Sequence, residues 1–260
     1  MKKNKLRELL LSGKPTLGTR LHNLWPATVE AVGYSGMFDY VEFLAEYAPF
    51  DLEGLDNFCR TAELYNLGTL IKIDQDPQKF LAQRGIGAGF EGVLFADSRS
   101  VEDVRECVRI ARPDTPEDGG NFGAANRRFA YMRYGGNADY VQALREIVVM
   151  IMIEKKSAVD QLEEILAVGG VDMIQWGPAD YSMSVGMPGA MQDPKIKAVE
   201  RYVIETCLKA GVAPRVELNQ PEDARYYLDL GVKHFNLGVD LSIYHTWLKT
   251  NGETLRKLLI

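Results

Sequence analysis

Val148-Val149-Met150-Ile151-Met152-Ile153 runs straight into Glu154, then into the helix-like stretch Ala158–Val168, the step Gly169-Gly170 and a second strand-like run, Asp172–Trp176. A six-residue run with no polar alternation suits a strand buried on both faces, which is the habit of parallel sheets. The glycines after the helix supply the left-handed C-cap needed before the chain turns back. Strand, helix, glycine and strand make one βαβ unit. Outward from it, short β-branched or aromatic runs bounded by Gly, Pro, Asn or Asp recur at Thr16–Leu21, Tyr40–Ala45, Thr69–Ile73, Gly92–Ala96, Ala213–Val216 and His234–Val239. Between them lie amphipathic stretches such as Val101–Ala111 and Pro221–Leu230. Eight strands alternating with helices predict an α/β chain folded as a (β/α)8 TIM barrel, whose usual size is about 250 residues. A doubly wound sheet is the competing architecture, but no Gly-rich dinucleotide loop follows an early strand.

The 260 residues are read as one domain, 1–260, with a long insertion at about 114–137 and a C-terminal helix. The insertion carries Gly119-Gly120, Gly123 and Gly135-Gly136, and its length suggests a lid, a subunit contact or a mobile segment. Hydrophobic residues at 46% supply a large core and exclude global disorder. A net charge of -6 without a basic block argues against nucleic acid as a partner. The longest apolar run, Ile147 to Ile153, is too short for a bilayer, and no signal-peptide core opens the chain. A cytoplasmic, non-membrane protein is expected. Cys59, Cys107 and Cys207 form no CxxC pair, and His22, His234 and His245 form no HxH or HExxH motif, so neither disulfides nor a His-rich metal site is expected.

A barrel carries its chemistry at the C-terminal ends of its strands. Those ends hold Arg20 and His22, Glu46 and Tyr47, Lys72 and Asp74, Asp97, Glu154, Asp180, Glu217 and Asp240. Asp240 also suits a plain helix cap. Glu154 does not, because Ser157 is the expected cap of the helix behind it. A carboxylate at the mouth of a buried strand needs a partner. A divalent cation shared with Asp180, one βα unit on, would serve, and so would an Arg or Lys.

Gly177-Pro178-Ala179-Asp180-Tyr181-Ser182-Met183-Ser184-Val185-Gly186-Met187-Pro188-Gly189 resembles the signature of the HpcH/HpaI aldolase family. Met152-Ile153-Glu154, Phe38-Asp39-Tyr40 through Glu46-Tyr47-Ala48-Pro49, and Leu237-Gly238-Val239-Asp240 resemble its strand ends. The resemblance implies a class II, metal-dependent lyase acting on pyruvate and related 2-oxo acids through a metal-stabilised enolate. It implies a divalent ion (Mg, Mn or Co) on Glu154 and Asp180, with substrate beside Lys72, Met152, Gly177 and Ala179. It also implies a homo-oligomer, commonly a hexamer. Tyr47, Lys72 and Glu46 are the candidate catalytic residues.

The chain departs from the family pattern where chemistry is concentrated. Tyr47 stands where the resemblance expects a catalytic histidine, Gly87 near its aspartate partner, Lys72 for a pyruvate-site arginine and Met152 for a glutamine. A phenol with a reference pKa near 10 is a poor base at neutral pH but a good hydrogen-bond donor. Lysine keeps the charge of arginine without its bidentate fork. Altered chemistry such as decarboxylation or enolate proton exchange, a Schiff base on Lys72, or a non-catalytic 2-oxo acid binding protein are the alternatives. His22 is a candidate replacement for the histidine. Trp25 and Pro26 are expected in the pocket wall, Trp176 between barrel and helices, and His245 and Trp247 in a C-terminal helix that packs or meets another subunit. Arg215 either points into the mouth or pairs with Glu217.

Overall fold

The computed structural model describes residues 3–125, 127–128 and 135–259. Eight parallel strands close on themselves in sequence order, β1 (Thr16–Leu21), β2 (Tyr40–Leu44), β3 (Gly68–Ile73), β4 (Gly92–Phe95), β5 (Val148–Ile153), β6 (Met173–Trp176), β7 (Ala213–Leu218) and β8 (His234–Val239), with β8 pairing back to β1. The helices are α1 (Lys5–Leu11), α2 (Pro26–Ser35), α3 (Leu52–Leu64), α4 (Gln78–Ala88), α5 (Val101–Ala111), α6 (Ala138–Arg145), α7 (Lys156–Asp160), α8 (Leu162–Leu166), α9 (Pro178–Ser184), α10 (Pro194–Ala210), α11 (Ala224–Leu230) and α12 (Asp240–Leu258). The predicted TIM barrel is the observed fold.

The β5 run explains itself once its two faces are separated. Val149, Ile151 and Ile153 join the core between barrel and helices, while Val148, Met150 and Met152 join a second core inside the barrel. Leu6 of α1 enters that inner core from the N-terminal end, and Arg7 clamps Asp172 with Nη2 at 2.8 Å. Gly18 on the inner wall of β1 lets the Tyr40 ring cross the barrel, since a Cβ there would lie 2.3 Å from the ring. Above the apolar layer the interior turns polar. Arg215 is fully buried and donates to Glu42 and, at 2.8 Å, to Gln175, while Asn236 donates to Glu42 at 3.0 Å. Arg215 also lies 3.5 Å from Glu217, the local partner expected for it, while its side chain is closed inside the barrel rather than open at the mouth.

Local details depart from the sequence reading for identifiable reasons. The predicted helix Ala158–Val168 is broken at Gln161, which leaves helical geometry at φ -113 and ψ 19. Ser157 does not cap it. Lys155 occupies the cap position, and the Ser184 hydroxyl accepts the Lys156 N–H at 3.1 Å from α9 instead. Pro221–Asp223 forms a 3-10 turn before α11. The described part of the 114–137 segment does not cover the mouth. Its Asp118 pairs with Arg145 of α6 at 2.8 Å, and its Arg128 donates to the Ala88 carbonyl at the end of α4. Both partners lie where the chain enters β4 and β5, at the opposite end of the barrel. Residues 126 and 129–134 of this segment lie outside the described residues.

Candidate active site

Lys72 stands on the inner wall of β3, one residue before its end, and is 4% exposed. Its ammonium lies 2.5 Å from the Tyr47 phenol oxygen and 2.5 Å from a Glu46 carboxylate oxygen. Both partners come from the loop after β2, which turns tightly because the N–H groups of Tyr47 and Ala48 both bond to the Leu44 carbonyl. Burial alone would lower the Lys72 pKa, but Tyr47 and Glu46 outweigh it and the net shift is upward. Burial pushes the Tyr47 phenol up to about 12, with Lys72 pulling the other way. Lys72 is therefore a fixed cation and Tyr47 a neutral donor at neutral pH.

Glu154 follows β5 directly and is 3% exposed. Burial raises its pKa; the hydrogen bond from Asp97 and the Lys72 charge lower it, and Asp180 adds to the rise. The Asp97 N–H donates to Glu154 Oε1 at 2.7 Å. Asp97 reaches this position at φ 61, a left-handed conformation that costs a non-glycine residue energy and recurs at functional sites. A Cβ on Gly177 would lie 2.7 Å from Glu154 Oε2 and 2.8 Å from the Met152 methyl, so glycine alone leaves the carboxylate room. Lys155 then bridges Asp97 at 2.6 Å and Asp180 at 2.9 Å. Burial would lower its pKa, but the two carboxylates raise it. Asp180 sits in the first turn of α9 beside exposed Ala179.

The structure thus forms two groups at one end of the barrel. Tyr47, Glu46 and Lys72 make one; Glu154, Asp97, Lys155 and Asp180 make the other, with Met152 and Gly177 packed against Glu154. Among the described residues no three His, Cys, Asp or Glu side chains converge as a ready metal cluster. The residues nonetheless fit a hard divalent ion. Such an ion is held by one or two carboxylates with water and substrate filling the rest, and the space left by Gly177 opens beside a Glu154 oxygen.

Lys155 escaped the sequence reading, because a lysine after a carboxylate looks like ordinary surface. Asp240 was expected as a cap. Its Oδ1 accepts the Leu241 N–H at 2.7 Å in the first turn of α12, and the same side chain also accepts from the His22 N–H at 3.0 Å and from Asn23 at 2.7 Å, and lies 3.1 Å from His22 Nδ1. The His22 ring is 6.4 Å from that of Tyr47. Trp25 is exposed at the entry to α2, and Trp176 packs on Tyr181 with centroids 4.8 Å apart. Gly87 lies near the end of α4, away from the mouth, where a Cβ would meet Arg127. A carboxylate placed there would not face Tyr47 of the same chain.

Known proteins share the sequence and fold of this chain. Hydroxypyruvate/pyruvate aldolase of Agrobacterium fabrum is 26% identical over 247 residues, covering 95% of this chain and 91% of its own. The 4-hydroxy-2-oxo-heptane-1,7-dioate aldolase of Escherichia coli is 27% identical over 242 residues, covering 92% and 90%. The crystal structure of an HpcH/HpaI aldolase from Desulfitobacterium hafniense DCB-2 superposes with a TM-score of 0.87 at 26% identity, over 98% of this chain and 97% of that one. Residues 56–246 match the HpcH/HpaI aldolase/citrate lyase family itself, and this chain belongs to that family.

Proposed function

We propose that the protein is a carbon–carbon lyase that cleaves 4-hydroxy-2-oxo acids to pyruvate, or a pyruvate analogue, and an aldehyde. One observation carries the reading: a protonated lysine and a neutral phenol face the same barrel mouth as two carboxylates suited to a hard cation. When bound at Glu154 and Asp180, that cation (Mg, Mn or Co) supplies Lewis-acid stabilisation of negative charge on the 2-oxo acid. The chain's own residues do the rest. In cleavage the C4 hydroxyl loses its proton, the C3–C4 electron pair becomes the enolate, and C3 later takes up a proton. Lys72 presents positive charge to the enolate oxygen, and Tyr47 donates a hydrogen bond as that charge grows. Glu46 holds the lysine in place. Met152, Gly177 and Ala179 border the substrate.

A Schiff base on Lys72 is disfavoured, since the amine nucleophile must be neutral and Lys72, beside the Glu46 carboxylate, is shifted toward its charged form. The partner surface is proposed to be another copy of this chain. The 19 residues of α12 bury none of their side chains, and Leu241, Ile243, Tyr244, Trp247, Leu248 and Leu255 stand exposed on it. The hexamer implied by the resemblance is the finer form of this proposal, and sedimentation tests it. No helix among the described residues is long and apolar enough to cross a membrane, and a cytoplasmic site fits the proposed chemistry.

The test is pyruvate release from 4-hydroxy-2-oxo acids with added Mg, Mn or Co. Release that stops on chelation supports the reading. Release that survives chelation with borohydride trapping on Lys72 replaces it with covalent chemistry. Binding of pyruvate without release or exchange of its C3 protons replaces it with a binding protein.

A further inference from the structure

Tyr47 is held as a phenol and is no ready proton acceptor at neutral pH, and Glu46 is engaged by the Lys72 ammonium at 2.5 Å. The mouth nevertheless contains a histidine oriented by a carboxylate. His22 follows β1, and Asp240 opens α12 after β8, so the closure of the barrel between β8 and β1 brings together residues 218 positions apart. Asp240 Oδ1 accepts the Leu241 N–H at 2.7 Å and lies 3.1 Å from His22 Nδ1, while Oδ2 accepts the His22 N–H and the Asn23 amide. These bonds fix the ring and favour a proton on Nδ1. Nε2, across the ring, is left as the atom that exchanges one. The His22 side chain is 27% exposed against 11% for Asp240, the arrangement of a working imidazole over a shielded orienting carboxylate.

From this we infer that His22 and Asp240 form the acid–base pair of the reaction, displaced from the β2 loop to the β8–β1 junction. The inference rests on the lyase reading above. His22 Nε2 takes the C4 hydroxyl proton as the C3–C4 bond breaks, and the imidazolium returns a proton to C3 of the enolate, leaving the imidazole neutral. In pyruvate exchange the same atom takes a C3 proton, the C–H electron pair enters the enolate, and a solvent-derived proton goes back. Asp240 acts through His22 and is a positioning residue. Other charged and titratable groups stand at the same mouth. From β1 there is Arg20, itself paired with Glu217 of β7. From the β2 loop comes Tyr47, with Lys72 and Glu46 behind it.

The decisive experiment follows metal-dependent deuterium entry into the pyruvate methyl group, with oxalate affinity measured beside it. His22→Gln keeps a donor toward Asp240 but carries no proton, and exchange should fall by about 10²–10⁴-fold while oxalate affinity changes by less than about threefold. Asp240→Asn should slow exchange and move its pH profile to lower pH, and Asp240→Glu should restore part of both. Nitrogen-15 spectra of the metal-free parent should show neutral His22 protonated on Nδ1. Exchange at the parental rate in His22→Gln overturns the assignment alone. So does an Nε2–H tautomer, or equal loss of exchange and oxalate binding, which marks a structural tie. A parent that neither exchanges nor cleaves with any of the three metals overturns the lyase reading, and the pair with it.

Discussion

The Lys72 ammonium lies 2.5 Å from the Tyr47 phenol oxygen, so a buried strand residue holds an otherwise exposed ring over the barrel mouth. With its pKa at about 12, the phenol donates throughout the neutral range and does not act as a base. Tyr47→Phe should therefore lower kcat by about 10- to 100-fold, since the lost bond matters most as negative charge develops. Oxalate affinity should stay within about threefold of the parent. Equal kcat in parent and variant would reduce Tyr47 to a wall residue. Tyr47→His alone should not produce ordinary aldolase activity, because no carboxylate of this chain faces that position from Gly87.

Gly177→Ala tests the space beside Glu154. The new methyl would lie 2.6 Å from Glu154 Cβ and 2.8 Å from the Met152 methyl carbon, and the flexible methionine can yield more readily than the strand-end glutamate. A loss of about 1–3 kcal/mol in denaturant unfolding is expected, together with weaker metal binding. Parental stability and metal affinity in this variant would show that the glycine is incidental.

Lys155 bridges Asp97 and Asp180 at 2.6 and 2.9 Å, within the same carboxylate group that is proposed to receive the metal. Its removal has opposite consequences with and without the ion. Lys155→Met should lower the melting temperature of the metal-free protein, because two carboxylates lose their counter-charge. It should also tighten Mn²⁺ binding, since a competing cation is gone. Weaker Mn²⁺ binding in the variant would mean that Lys155 organises the site and does not compete with the ion.

The sequence made the barrel legible because its strands are short, closely bounded and buried on both faces, as the two-sided run Val148–Ile153 illustrates. Glu154, Asp180, Lys72 and Tyr47 were legible because strand ends in a barrel necessarily face one mouth. Pairings across the barrel closure were not. Nothing local to His22 or Asp240 signals that β8 lies beside β1 at that register, and Asp240 reads naturally as a cap. Lys155 and the left-handed Asp97 were hidden for a related reason, since both take their meaning from a neighbouring strand end. The break at Gln161 is marked by no glycine or proline.

His234 opens β8 at the far end of the barrel, with Nδ1 3.0 Å from the Thr16 hydroxyl. Burial lowers its pKa from 6.5 to about 4, with Lys233 and Arg215 adding to the shift. The unfolded chain therefore binds a proton that the native chain refuses, and stability falls as pH drops from about 6.5 toward about 4. Urea unfolding across that range should show the decline, and His234→Gln should flatten it. An equal slope in both proteins would place the acid sensitivity elsewhere.

The central claim is that Glu154 and Asp180 together hold the ion on which the 2-oxo acid binds. Mn²⁺ titration with and without oxalate, in the parent, Glu154→Gln and Asp180→Asn, tests it most directly. In the parent, oxalate should tighten Mn²⁺ binding and Mn²⁺ should tighten oxalate binding by the same factor. Each variant should lose at least the 10–100-fold typical of groups even one step removed from a metal, with circular dichroism unchanged. Parental Mn²⁺ affinity in both variants, or oxalate binding indifferent to the ion, would contradict the account.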